Sequence, residues 1–341
     1  MKKILIVTDS YYKQLGGSYE AIGSTVYNLK QNNFSIKFVY FKNETISMKL
    51  KIKKLINYHD IIHFFGIWTF NHFKTIILCI LFNKSFIVTP MGALEPWSLN
   101  QKKIKKKLAL FFYQIFFLKK SKFVHCTSIN EEKNIKKIDS KIKTMLIPHA
   151  MEGINYIKTQ INIRKKIKFL FFSRIHRKKG LDSFLTAWNN VKPKNFELDI
   201  IGPDADDTKN EIEYFVKKNN LEHQIKFKKP IYNMLEKNKL FQKYHISILT
   251  SKNENFAYSV IESLRHSLPV ITNINVPWEE IKTHNAGWYI NDDVDSIKKT
   301  LIEISKITEN ELLQKSRNAY KLSKKYEWKN IIERYDCMYN N

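Results

Sequence analysis

Residues 245–269, HISILTSKNENFAYSVIESLRHSLP, open with an apolar, β-branched run and continue into a segment where Phe256, Val260, Leu264 and Leu268 recur at helical spacing. The stretch therefore predicts a buried strand, a loop and a helix. Glu254 falls in the loop, and Glu262 about two turns into the helix. The main-chain N–H groups of Asn255, Phe256 and Ala257 are expected to open that helix, where unsatisfied donors and the helix dipole favour an anion such as a diphosphate. A carboxylate on each side, in an E-x7-E spacing, can accept hydrogen bonds from paired hydroxyls, one pair on a sugar and one on a ribose. The same spacing also arises by chance on ordinary helix surfaces, so the rest of the chain has to decide.

Working outward, the same strand–helix alternation recurs. Apolar runs at 4–7, 36–40, 61–65, 86–89, 123–127 and 144–147 predict strands separated by amphipathic segments. After a Lys-rich passage the pattern restarts at 167–172, 198–201, 225–227, 246–249, 270–272 and 288–290. Such alternation predicts α/β architecture with parallel sheets covered by helices. Two units of similar size follow, with a join expected near 155–166. Ligands of open parallel sheets bind at the carboxyl ends of strands, so a cleft between two such domains is the expected site.

Composition sets the outer limits. A chain of 341 residues, 43% hydrophobic and 26% charged, is long enough for two cored domains. Lys and Arg number 58 against 32 Asp and Glu, a net charge of +26 that favours anionic partners: phosphates, nucleic acid or anionic lipid. Three scattered cysteines without C-x-x-C spacing indicate neither a disulfide framework nor a zinc site, and suggest a reducing compartment. Residues 1–9, MKKILIVTD, carry too short an apolar run for a signal peptide and read as a first strand. The longest apolar runs, 76–82 and 108–113, fall well short of the ~18 residues of a membrane span.

Three further loops follow strands. Gly16-Gly17 precedes a helix at 19–29; paired glycines admit a ligand close to the backbone, although a plain turn fits equally. In 173–180, SRIHRKKG, Arg174 as a planar fork and Lys179 as a point charge can converge on one anion. The third, 89–98, TPMGALEPWS, lies between a strand and a long helix. The histidines near strand ends, His63, His125, His149 and His176, read as structural rather than catalytic, with His63 the best site candidate. Asp204-Ala205-Asp206 is a D-x-D of the kind that holds divalent metal elsewhere, but its setting predicts a solvated turn.

Taken in order, Gly16-Gly17, 63–68 (HFFGIW), 90–97 (PMGALEPW), Ser173-Arg174 with Lys179-Gly180, Gly202-Pro203-Asp204, Glu254 with Glu262, Leu268-Pro269-Val270, Pro277-Trp278 and Ala286-Gly287-Trp288 resemble the family-4 retaining glycosyltransferases of the GT-B fold. The likeness is to the bacterial branch building O-antigen, capsule and exopolysaccharide. It implies two Rossmann-like domains facing across a cleft: residues 1–160, joined by a C-terminal helix in 324–341, for the acceptor, and 161–323 for the nucleotide-sugar donor. Carried over by position, it implies that Arg174 and Lys179 bind the donor diphosphate and Glu254 the transferred sugar. Glu262 would hold the ribose, and the amides of Asn255, Phe256 and Ala257 would touch phosphate and sugar. Gly16 and Gly17 would line the cleft, with His63 and Met91 also against substrate. Such enzymes need no metal or other cofactor. Met91 stands where the family usually has His or Arg, Phe65 replaces the second His of a His-x-His-Gly pattern, and Lys229 stands at a common glycine.

Residues 101–120, QKKIKKKLALFFYQIFFLKK, read as one helix about 30 Å long. Ile104, Leu108, Phe111, Ile115 and Leu118 would form one apolar stripe, and Phe112, Tyr113 and Phe116 another. One stripe can pack on the sheet and the other, flanked by lysines and joined by Lys49, Lys51, Lys53 and Lys54, can enter anionic headgroups. The resemblance implies a nucleotide sugar (UDP- or GDP-linked) and a polyprenyl-diphosphate-linked glycan acceptor as partners; with it, the basic apolar stretch adds an anionic membrane surface, without nucleic acid. The expected location is cytoplasmic, peripheral on the inner face of the plasma membrane. The rival expectations are a nucleotide-sugar epimerase or hydrolase of the same fold, and a non-catalytic basic membrane-binding protein.

Overall fold

A computed structural model describes residues 2–41, 46–154 and 156–340; the side chain of Lys49 lies outside the described residues. The chain divides into two compact units, Met1–Ala150 with Trp328–Asn341, and Met151–Glu327. The first boundary therefore falls before the Lys-rich passage chosen from sequence. Lys158, within that passage, is buried in the second unit, where its ammonium donates to the carbonyl of Tyr244 at 2.5 Å. The second boundary falls at 327, because Tyr326 packs its ring on Phe256 and Trp278.

In the first unit, strands β1 (Lys3–Thr8), β2 (Ser35–Tyr40), β3 (Ile61–Phe65), β4 (Ser85–Thr89), β5 (Phe123–Cys126) and β6 (Thr144–Leu146) form one parallel sheet in the order β2-β1-β3-β4-β5-β6. In the second, β7 (Ile167–Phe172), β8 (Phe196–Ile201), β9 (Ile225–Lys228), β10 (Ile246–Leu249), β11 (Val270–Asn273) and β12 (Gly287–Ile290) order as β12-β11-β10-β7-β8-β9. Every pairing is parallel. The twelve apolar runs of the sequence thus become twelve strands. β3 and β10 are buried along their whole length, which is why they read as continuous apolar runs rather than alternating ones.

The helix Trp328–Asn340 packs in the first unit, where Trp328, Tyr335 and Tyr339 join a core cluster with Ile4, Ile6 and Ile61. A buried polar chain ties it down. Tyr339 Oη meets His63 Nδ1 at 2.8 Å, His63 Nε2 meets Thr89 Oγ1 at 2.7 Å, Thr89 Oγ1 meets His125 Nδ1 at 2.8 Å, and His125 Nε2 meets the carbonyl of Ile147 at 2.8 Å. A carbonyl only accepts, so His125 carries its proton on Nε2 and accepts the Thr89 hydroxyl proton on Nδ1. Thr89 then accepts from His63 Nε2–H, and His63 Nδ1 accepts from Tyr339. Burial holds both rings neutral, lowering the His125 pKa to about 4 and that of His63 well below its usual value.

Residues 101–120 depart from a single regular helix. Lys102 takes a left-handed conformation, the helix Lys103–Ala109 passes through a π turn at Leu110–Gln114, and a last helical segment covers Ile115–Lys120. The extra residue in the π turn rotates everything beyond it, so the stripes differ from those expected. Phe117 and Leu118 are buried, with Leu110 and Tyr113 packed on the same core, while Ile104, Leu108, Phe111, Phe112 and Phe116 face outward. No helix among the described residues is long and apolar enough to cross a membrane.

Candidate functional site

In the second sheet the strand order reverses between the neighbours β7 and β10. The carboxyl ends of these two strands are where a parallel sheet of this order opens a crevice. The loop after β7 carries Arg174 and Lys179; the loop after β10 carries Glu254 and leads into the helix bearing Glu262. The two loops are pinned together. Thr250 Oγ1 donates to the carbonyl of Gly180 at 3.1 Å, and the Lys252 N–H donates to the carbonyl of Lys178 at 2.8 Å. Gly180 has φ +70°, and a Cβ there would lie 1.9 Å from the Thr250 carbonyl oxygen, so only glycine permits this approach.

The pinning delivers Lys179 onto Glu254. Lys179, in the short 3-10 turn Arg177–Lys179, places Nζ 2.5 Å from Glu254 Oε1, and Ser251 Oγ donates to the same oxygen at 2.8 Å. Both charged side chains are about nine-tenths buried. Burial alone would raise the Glu254 pKa, but the charges of Lys179 and Lys178 and these two hydrogen bonds outweigh it, leaving the pKa below its ordinary value. Glu254 is therefore an anion whose Oε2 has no partner among the described residues. The Lys179 ammonium carries two further donors.

Glu262 forms a second ion pair, with Lys237 of the helix Met234–Phe241, at 3.1 Å and almost fully buried on both sides. Lys237 also lies over the ring of Phe172, the last residue of β7. Arg174, two residues beyond Phe172, is half-buried and makes no hydrogen bond or ion pair among the described residues. Arg174 and Lys179 thus follow β7 and Glu254 follows β10, with Glu262 in the helix beyond; Glu254 pairs with Lys179 and Glu262 with Lys237, and Arg174 has no partner among the described residues.

Other expectations need correction. The helix begins at Tyr258, not at Asn255, because Ala257 is held at φ +61° ahead of it. Asn255, Phe256 and Ala257 therefore precede the helix, and Glu262 lies little more than one turn inside it. Phe256 is a packing residue, buried against Trp278, whose indole N–H donates to the Phe256 carbonyl. His63 is fully buried with both ring nitrogens taken by Tyr339 and Thr89, so it has no free atom for a substrate. Met91 packs partly buried against the first unit's core in a turn at φ +57°. Gly16, at φ +60°, caps the helix Gly17–Gln31 after β1, and β1 borders β3 where the first sheet's own order reverses. Asp206 accepts from Thr208 and lies 3.5 Å from His176, and Asp204 accepts from the Lys209 N–H, so the D-x-D is a helix-capping turn.

Sequence reasoning missed Ser251 and Lys237. A signal for Lys237 was present: it lies three and four residues before Leu240 and Phe241, on the face the helix buries.

Residues 154–323 match the family model described as glycosyl transferases group 1. No curated protein matches the chain in sequence. Among solved structures, Anabaena HepE in complex with UDP and glucose superposes with a TM-score of 0.78 at 14% identity over 99% of both chains. Sucrose-phosphate synthase from Thermosynechococcus elongatus gives 0.78 at 13% identity, over 99% of this chain and 98% of that one. WaaG, a glycosyltransferase involved in lipopolysaccharide biosynthesis, gives 0.73 at 11% identity over 99% and 100%. The second unit thus carries a glycosyl transferases group 1 domain, and the chain is a glycosyltransferase with the GT-B fold.

Proposed function

We propose that this enzyme is a metal-independent, retaining glycosyltransferase of family 4. It moves a sugar from a UDP- or GDP-sugar to a lipid-linked glycan, a polyprenyl-diphosphate acceptor, in the building of O-antigen, capsule or related surface polysaccharide. The observation that carries the reading is the buried Lys179–Glu254 pair at the β7–β10 reversal, with Arg174, which has no partner among the described residues, on the same loop as Lys179. Diphosphate charge is met by Arg174 and Lys179, Glu254 Oε2 accepts from hydroxyls of the transferred sugar, and Glu262 accepts from the ribose diol. When the anomeric carbon–oxygen bond breaks, negative charge grows on the departing diphosphate. The two cations stabilise it there, a role filled elsewhere by a divalent metal. The leaving phosphate oxygen takes the acceptor proton, so no side chain need attack the sugar. The first unit takes the acceptor. HepE bound to UDP and glucose, and WaaG in lipopolysaccharide synthesis, support the donor class and the setting.

The same reading places the enzyme on the cytoplasmic face of the plasma membrane. Ile104, Leu108, Phe111, Phe112 and Phe116 are 50–80% exposed, and Lys102, Lys103, Lys105, Lys107, Lys119 and Lys120 surround them in solvent. An apolar stripe rimmed by lysines suits an interface with anionic lipid.

Titration calorimetry with UDP-, GDP- and ADP-sugars in the presence of EDTA tests the donor reading. Binding of one nucleotide class without metal is expected, and failure of all three to bind refutes it. Co-sedimentation with phosphatidylglycerol vesicles tests the surface: F111D/F112D should release the protein, and equal binding to phosphatidylcholine vesicles would refute the charge contribution.

A further inference from the structure

We infer that Lys237 is a positioning residue for nucleotide recognition: by anchoring Glu262 through its Oε1, it sets the preference of the site for a ribose over a deoxyribose. The inference rests on the reading of Glu262 as the ribose ligand. The pair lies 3.1 Å apart with each side chain about 95% buried. A carboxylate so far from water calls for a cation at hand. Lys237 supplies that cation and occupies Oε1, while Oε2 has no partner among the described residues. One oxygen is thus anchored and the other is left to accept from a diol.

The ammonium is itself fixed from two sides. It lies 5.6 Å from the centre of the Phe172 ring, at the end of the strand that delivers Arg174. Its helix is also tied to that of Glu262 by further contacts. His266 Nε2 meets Asn238 Oδ1 at 2.8 Å, and the His266 ring stacks on Phe241 with centroids 4.6 Å apart. A side chain this constrained does more than neutralise charge, because it determines which way the carboxylate faces.

The experiment is a set of binding titrations with UDP and 2′-deoxy-UDP, and with GDP and 2′-deoxy-GDP, on the full chain. Wild type should prefer the ribose form by about tenfold or more, the worth of a hydrogen bond to a charged acceptor. K237M should reduce that preference to near unity, and K237R, which keeps cation and donor, should retain it. Should K237M fail to fold, K237Q is read in its place by the same ratio. A folded K237M or K237Q protein with the wild-type preference overturns the inference, as does a K237R protein that loses the preference as fully as K237M. If E262Q keeps the preference, the ribose reading of Glu262 itself fails, a result distinct from failure of Lys237 alone.

Discussion

The Lys179–Glu254 pair allows a prediction in which stability and function move in opposite directions. K179M removes the ammonium and leaves the Glu254 carboxylate, about 10% exposed, with only the Ser251 hydroxyl on its Oε1. An uncompensated buried charge costs about 3–5 kcal/mol, or a fall in Tm of about 6–20 °C for a unit of this size. E254Q keeps the shape and an acceptor for Lys179, whose ammonium loses its countercharge but keeps a hydrogen bond, at a smaller cost of about 1–3 kcal/mol. The double variant K179M/E254Q has no stranded charge, so it should recover about 2–3 kcal/mol of the K179M loss. In function the order changes. E254Q takes a negative charge from beside the diphosphate site, so UDP should bind at least as tightly as to wild type. Sugar transfer should nevertheless fall about 10- to 100-fold through the lost contact to the sugar. Thermal melts of all four proteins, calorimetry with UDP, and turnover of the cognate sugar donor measure the set. The reasoning is refuted if the double variant is no more stable than K179M, or if E254Q loses UDP binding together with turnover.

Three other outcomes are expected. Thr89→Val keeps the shape but strands His63 Nε2–H and His125 Nδ1, so urea unfolding should show a loss of about 2–4 kcal/mol. Tyr339→Phe added to it should cost less than the sum of the two single changes, since both act on one chain. Burial holds His72 and His125 neutral with pKa values lowered to about 4, and holds the His63 pKa well below its ordinary value. An unfolded histidine takes its proton near pH 6.5, so this stabilisation is complete above that value and should drain away between about pH 6.5 and 4, visible in melts across the range. Gly180→Ala meets both a positive φ and the Thr250 carbonyl. It should separate the two loops and abolish nucleotide binding with a stability loss of about 1–3 kcal/mol, measured by calorimetry and circular dichroism.

Much of the fold was legible because fully buried parallel strands must be apolar on both faces, and such runs stand out between polar, periodic helices. Their lateral order was not legible: nothing local records that β10 lies beside β7. The pairing of Lys179 with Glu254 therefore stayed hidden, since it depends on two loops meeting across 75 residues of chain. The helix start was misplaced because Ala257, with no glycine to mark it, adopts a left-handed backbone. His63 falls inside the strand expected at 61–65, but the partners that occupy its ring, Thr89 and Tyr339, lie on β4 and the helix Trp328–Asn340 and leave no local signature. The π turn at Leu110–Gln114 has no residue signature, so the outward-facing aromatics could not be sorted from the inward ones by helical spacing.

The helix Trp328–Asn340 gives the order of assembly an unusual direction. Ribosomes emit chains from the amino end, and units generally fold as they emerge. Here residues 151–327 make up one unit by themselves, whereas the unit built on residues 1–150 is missing Trp328, Tyr335 and Tyr339 until the whole of the other unit has been made. Of these two units the one begun earlier is thus completed later, and until then the apolar surface that this helix covers stays open.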